Sequence, residues 1–278
     1  AWETSFEPTF VHHEASYSGP AGKAETRDPW KFLPALFVGG PIHDKIAAGL
    51  GITVPYGLAV KWDWDQAGLM KYQAPHFVDL KTFNVNPNLA FRLGEKVSLA
   101  VGADIMWSEL QLRQAYSWAN LFGNPALPDG ELRARGDGVG LSGNTGLSVD
   151  LWEGHRAAFT ARFPMKVSYD GHFAASNVPL SPSARLDFQS QIDFPTVLGF
   201  GYGVRVTDKI RVEANVEWIQ FSRFQELEFG VDPTLAATLG VPTAYAQDWR
   251  NTFTFGLGGD WAFAEDWKLR LSYQHYQT

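Results

Sequence analysis

From end to end the chain alternates apolar and polar residues with a period of two, and that rhythm points to strands. Successive side chains on a strand leave opposite faces, whereas a helix returns to the same face every ~3.6 residues. Residues 210 to 218 show it best, with Ile210, Val212, Ala214, Val216 and Trp218 on one face and Arg211, Glu213, Asn215 and Glu217 on the other. Similar runs occupy 97–107, 157–169, 185–206, 253–263 and 267–273, and less regular ones lie near 2–17, 31–40, 46–56, 77–93 and 132–151. Together they predict about eleven strands in one domain spanning 1–278.

One apolar face per strand suits a soluble sandwich as well as a membrane barrel, so connection length has to separate the two. The breaks between strands read alternately long and short. Short ones fall at 41–45, 94–96, 153–155, 206–209 and 264–266, and long ones near 18–30, 57–76, 118–131, 171–184 and 228–247. In an up-and-down array every short turn then lies at one end and every long loop at the other, the asymmetry of bacterial outer-membrane barrels. Tryptophans fit two interfacial girdles: Trp152, Trp261 and Trp267 beside short turns, and Trp30, Trp62, Trp64, Trp118 and Trp249 near long loops. The expected fold is an all-β, transmembrane, up-and-down antiparallel β-barrel in the outer membrane.

Composition narrows the function. A net charge of −7 argues against a nucleic-acid partner, which requires a basic face to displace counterions. With no cysteine there is no thiolate for metal or nucleophilic chemistry. His12 and His13 are adjacent and so face opposite ways on a strand, which argues against a shared metal ion. Glycines 136, 138 and 140, and 199, 201 and 203, are spaced by two on strands with no helix following. That suits close approach of backbones rather than a phosphate loop. The expectation is a non-enzymatic monomer without cofactor or metal, surrounded by outer-membrane lipid. An odd number of strands would end on the long-loop side, whereas single-chain bacterial barrels have even numbers. A partial wall is therefore expected, with its missing strands C-terminal to residue 278.

Several segments resemble the FadL family of outer-membrane long-chain fatty acid transporters, which also includes channels for aromatic hydrocarbons. They are Asn86 to Gly102 (NPNLAFRLGEKVSLAVG), Gly136 to Leu147 (GDGVGLSGNTGL), Phe194 to Tyr202 (FPTVLGFGY), Val216 to Phe224 (VEWIQFSRF), and Asp248 to Thr252 (DWRNT) running on to Asp266 to Tyr273 (DWKLRLSY). They occur in family order. The resemblance implies a fourteen-stranded barrel plugged by an N-terminal hatch, with this chain starting after the hatch and ending after the eleventh strand. It further implies capture of a hydrophobic small molecule at apolar loops, passage into the lumen, and sideways release where the third strand kinks.

On these residues the kink falls at Val54, Pro55, Tyr56 and Gly57, since proline cannot donate a ladder hydrogen bond and glycine marks a bulge. Loop docking residues would be Leu121, Phe122 and Leu127 in the third long loop and Leu235, Leu239 and Tyr245 in the fifth. Alternation phase puts Arg92, Arg156, Arg162, Lys166, Arg211 and Arg270 among the lumen charges, each able to meet a carboxylate or to neutralise its neighbours. The same phase turns Met165, Val167, Tyr169, Ile192 and Phe194 toward lipid. General diffusion porin, aromatic-hydrocarbon channel and outer-membrane lipase are the competing readings.

Overall fold

The computed structural model describes all residues except 21, 64–70, 73, 180–182, 229, 231–233, 235–236, 238–243 and 278, and except the side chains of 58 and 183–185. Its strands are β1 (Glu3–His12), β2 (Ser16–Gly19), β3 (Gly22–Glu25), β4 (Trp30–His43), β5 (Ile46–Thr53), β6 (Gly57–Lys61), β7 (Phe77–Arg92), β8 (Val97–Tyr116), β9 (Gly130–Trp152), β10 (His155–Arg162), β11 (Met165–Ser176), β12 (Ser183–Phe194), β13 (Val197–Arg205), β14 (Ile210–Ile219), β15 (Glu226–Glu228), β16 (Ala244–Ala246), β17 (Thr252–Ala264) and β18 (Trp267–Tyr276). Fourteen of them form one antiparallel sheet whose continuous path is β1-β4-β5-β7-β8-β9-β10-β13-β14-β17-β18. β6 continues β5, β11 continues β10, and β12 leads into β13, so eleven crossings make the wall. The short turns, such as 153–154 between β9 and β10, share one end; the hairpins β2–β3 and β15–β16 and helix α1 (Trp118–Phe122) stand in the long connections.

The polarity of the wall inverts partway up. On β8 the outward residues Val101, Ile105 and Trp107 are exposed apolar groups, while Asp104 and Ser108 face inward and are buried. Above Trp107 the chemistry changes places: Glu109 turns out and Leu110 and Leu112 turn in, both buried. β7 and β9 change at the same level, where Phe83 and Val139 flank Trp107 in register. Outside and above it Lys81 pairs with Glu109 at 3.5 Å, and Arg135 donates to Glu109 at 2.6 Å. Val97 to Trp107 is the span a tilted strand needs to cross hydrocarbon, roughly 9–11 residues. The wall therefore crosses lipid with a polar interior and continues above it with an apolar one.

Two crossings make this change by slipping one residue. Between the pairs Thr53↔Asn84 and Gly57↔Lys81, three residues of the third crossing face two of β7. Between Arg162↔Asn144 and Asp170↔Asp137, seven residues face six of β9. Each slip reverses which alternate residues point inward. The single phase read from sequence is thus corrected above Pro164 and Pro195. Met165, Val167, Tyr169, Ile192 and Phe194 are buried in the interior cluster with Met106 and Leu110 rather than facing lipid. Lys166 lies on the opposite, outward face, its side chain 59% exposed and 4.0 Å from Asp193. Trp118 belongs to no girdle: it is fully buried and donates to the Ser176 carbonyl at 2.9 Å.

Glycine lets β11 lie close against β9. A Cβ on Gly138 would overlap the Ser168 carbonyl oxygen, and one on Gly140 would stand 2.7 Å from Met165 and Val167. The obstacle at Gly138 is backbone, so it has no side-chain rotation with which to give way. Gly138→Ala is expected to cost about 1–3 kcal/mol, by analogy with other overpacked interiors. A lowered urea midpoint for the folded protein in detergent would register it; an unchanged midpoint would show that β11 moves freely.

Candidate functional site

Inside the upper wall lies a cavity of ≈ 550 Å³, lined by Val78 and Leu80 of β7, Leu110 and Leu112 of β8, Ile192 and Phe194 of β12, and by Phe221, Phe224, Leu227, Tyr245 and Trp249 of the fifth long connection. Pro55, Tyr56 and Gly57 complete it. Such a volume, almost wholly apolar with few polar groups, suits a small hydrophobic ligand. Trp249 meets Phe221 and Phe224 edge-on, with centroids 5.3 and 5.2 Å away, and Tyr56 packs against Phe194 at 4.7 Å. The phenol of Tyr245 donates to Gln114 Oε1 at 2.8 Å, which fixes that wall of the cavity.

Three of the kink residues, Pro55, Tyr56 and Gly57, belong to the wall and to the cavity at once. The Tyr56 amide, which has lost its place in the ladder, donates to Thr82 Oγ1 at 3.1 Å, and the Thr82 hydroxyl returns a bond to the Tyr56 carbonyl. On the other edge, the β4–β5 ladder stops at Leu36↔Ile52. Among the described residues, hydrogen bonding between the two chain segments resumes where the Arg27 amide donates to the Lys61 carbonyl at 2.7 Å, reinforced by Lys61–Asp28 at 2.5 Å and Arg27–Asp63. That lysine holds the Asp28 carboxyl below its ordinary pKa, by a hydrogen bond and by its charge. Among the described residues no backbone hydrogen bond joins 30–35 to 53–60. The result is an interruption in the wall, bounded below by sheet and above by the clasp. Trp30 and Phe32 on its β4 rim are exposed, and the Phe32 ring lies 5.1 Å from Phe10.

Beneath the cavity the lumen is polar. Asp104, 1% exposed, accepts from the side-chain amides of Asn84 at 2.7 Å, Asn86 at 3.2 Å and Asn144 at 2.8 Å, and Arg162 Nε lies 3.7 Å away. Of the charges expected in the lumen, Arg92, Arg156, Arg162, Arg211 and Arg270 occupy inward register positions. Arg156 is neutralised by Asp150 at 2.7 Å and Arg211 by Glu213 at 2.7 Å.

Of the loop docking residues, Tyr245 lines the cavity and Leu127 packs against the interior cluster. Leu121 and Phe122 lie on α1, 39% and 56% exposed, away from the cavity lining. Leu235 and Leu239 lie outside the described residues. Val54, half-buried, sits in the interruption without lining the cavity. Alternation alone misses Val78, Leu80, Leu110 and Leu112 as cavity-lining residues. The signal was present as a change in which parity is apolar on either side of Trp107. Phe221, Phe224 and Trp249 come from irregular segments that carry no periodic signal.

An antiparallel wall with a lipid-facing apolar band, short turns at one end, and an apolar chamber beside a break in the ladder defines the class of outer-membrane β-barrels. The chain belongs to the outer membrane protein transport protein family (OMPP1/FadL/TodX), whose model matches residues 4–278. It is 25% identical over 284 residues to the long-chain fatty acid transport protein of Escherichia coli O6:H1, a match covering 91% of this chain and 61% of that protein. The corresponding protein of Salmonella typhi is 24% identical, with 94% and 65% covered. The chain thus spans about three fifths of the length of the curated relatives it matches. Among solved structures, a Pseudomonas aeruginosa FadL homologue superposes with a TM-score of 0.77 at 18% identity, covering 99% of this chain and 70% of that one. The Ralstonia pickettii toluene transporter TbuX gives 0.71 at 15% identity, with 99% and 77% covered. These similar proteins carry the names of transporters, not enzymes, and the family is one of outer-membrane proteins.

Proposed function

We propose that the chain forms the wall of a passive outer-membrane channel for hydrophobic molecules, long-chain fatty acids first among them, with release sideways through the interruption between β4 and β6. The supporting observation is that the apolar cavity and the broken ladder share Pro55, Tyr56 and Gly57. A ligand resting against Tyr56 is already at the wall. Leaving toward hydrocarbon spares it the cost of returning to water, about 0.8 kcal/mol for each methylene. An open aqueous pore fits less well, because below the cavity Asn84 and Asp104 are each 1% exposed and packed into one hydrogen-bonded floor. The fatty-acid reading rests on the names of the curated relatives, and the cavity's apolar lining supports any greasy solute equally.

The cavity reading is tested by Leu80→Asp, which introduces a carboxylate into that lining. A fluorescent long-chain fatty acid is expected to bind the detergent-solubilised protein at least about tenfold more weakly, since an unpaired buried charge costs well over 1.4 kcal/mol. Unchanged binding would place the ligand elsewhere. Uptake assays with a labelled fatty acid, toluene and a small sugar would then separate the fatty-acid, hydrocarbon and porin readings.

A further inference from the structure

At the short-turn end of the lumen, far from the apolar cavity, cations from four elements converge on a second cavity of ≈ 390 Å³. Arg156 of β10, Arg205 of β13 and Arg211 of β14 line it together with Lys96 from the β7–β8 turn. Two carboxylates of the lining, Asp150 and Glu153, are outnumbered, and Asp150 is already engaged by Arg156 at 2.7 Å.

Register makes the arrangement costly without a counter-ion. Arg205 and Arg211 are directly opposed across the β13–β14 ladder, on the same inward face. Like charges in that position repel. Arg211 turns aside to Glu213 at 2.7 Å, crossing the space above Gly203, where a Cβ would lie 3.7 Å from its Nε. The one carboxylate further along the row, Asp260, faces both Arg211 and Arg270 in register and lies 3.7 Å from Lys268. Arg205 has no ion-pair partner among the described residues. A chain with a net charge of −7 has acids to spare, yet three arginines share this row with one.

We propose that this mouth is an oxyanion site, held by Arg205 and Lys96 beside the Glu213-paired Arg211, that takes a phosphate or carboxylate group presented from the short-turn side. Guanidinium groups suit such ligands because their parallel N–H bonds match two oxygens at once. The site lies off the path from the apolar cavity to the wall interruption, so it stands whether or not the chain conducts fatty acids.

The test uses the purified protein in neutral detergent, with its unfolding midpoint followed by circular dichroism as inorganic phosphate or acetate is added, against chloride at equal ionic strength. An occupied site is expected to raise the midpoint by about 2–4 °C near saturation. A rise with phosphate alone assigns a phosphate ligand, and a rise with acetate as well extends the assignment to carboxylates. Arg205→Ala is expected to abolish the rise and, without added oxyanion, to leave the midpoint unchanged or higher, because it removes one of two repelling charges. The proposal is overturned if neither oxyanion exceeds chloride, if Arg205→Ala responds like the parent, or if Arg205→Ala lowers the midpoint in chloride.

Discussion

Deleting Pro55 is expected to cut uptake of a long-chain fatty acid at least about tenfold in cells lacking any other route, while the barrel still folds. Three residues of the third crossing face two of β7 between Thr53↔Asn84 and Gly57↔Lys81, and removing one makes the two sides equal. A continuous strand then replaces the bulge, and the β4–β5 ladder gains residues to extend beyond Leu36↔Ile52, which closes the break. Pro55→Gly keeps the count and is expected to keep transport, so the pair separates the bulge from proline itself. Full uptake by the deletion variant would end the case for sideways release at this place.

The second large effect falls on stability. Asp104→Leu is expected to cost about 3–5 kcal/mol, read as a lower urea midpoint and an earlier loss of the compact, heat-modifiable band on gels. The carboxylate is 1% exposed and accepts three asparagine amides, so the substitution leaves buried donors without an acceptor and Arg162 without its counter-charge. The Arg162 side chain is 35% exposed, which tempers that part of the loss. Asp104→Asn keeps one acceptor oxygen and is expected to lose about half as much. If Asp104→Leu unfolds at the parent's midpoint, the floor contributes nothing to holding β7, β8 and β9 together.

Strand number, turn asymmetry and the identity of the lipid face below Trp107 were all legible in the sequence, because each depends on a local period of two. The same period gave Arg92, Arg156, Arg162, Arg211 and Arg270 their inward positions, which the register supports. It failed for Lys166, Ile192 and Phe194, since they lie beyond a slip of one residue that two-fold rhythm cannot count across. Pro164 marks a break without telling on which strand the extra residue sits. The kink at 54–57 was readable from proline and glycine chemistry, whereas its neighbours in the cavity come from β8, β12 and a distant connection. Only the three-dimensional path brings Leu110, Phe194 and Trp249 to one place.

The exchange of greasy and charged residues at Trp107 also acts as a waterline. Sliding the protein inward by two residues along β8 would carry Glu109 and its partners Lys81 and Arg135 about 5 Å toward hydrocarbon. Sliding it outward would lift Trp107 and Ile105 into the aqueous phase. In membranes of different thickness the lipid has to stretch or thin around the wall rather than the wall change depth. The interruption beside Pro55 therefore keeps a constant height against the hydrocarbon.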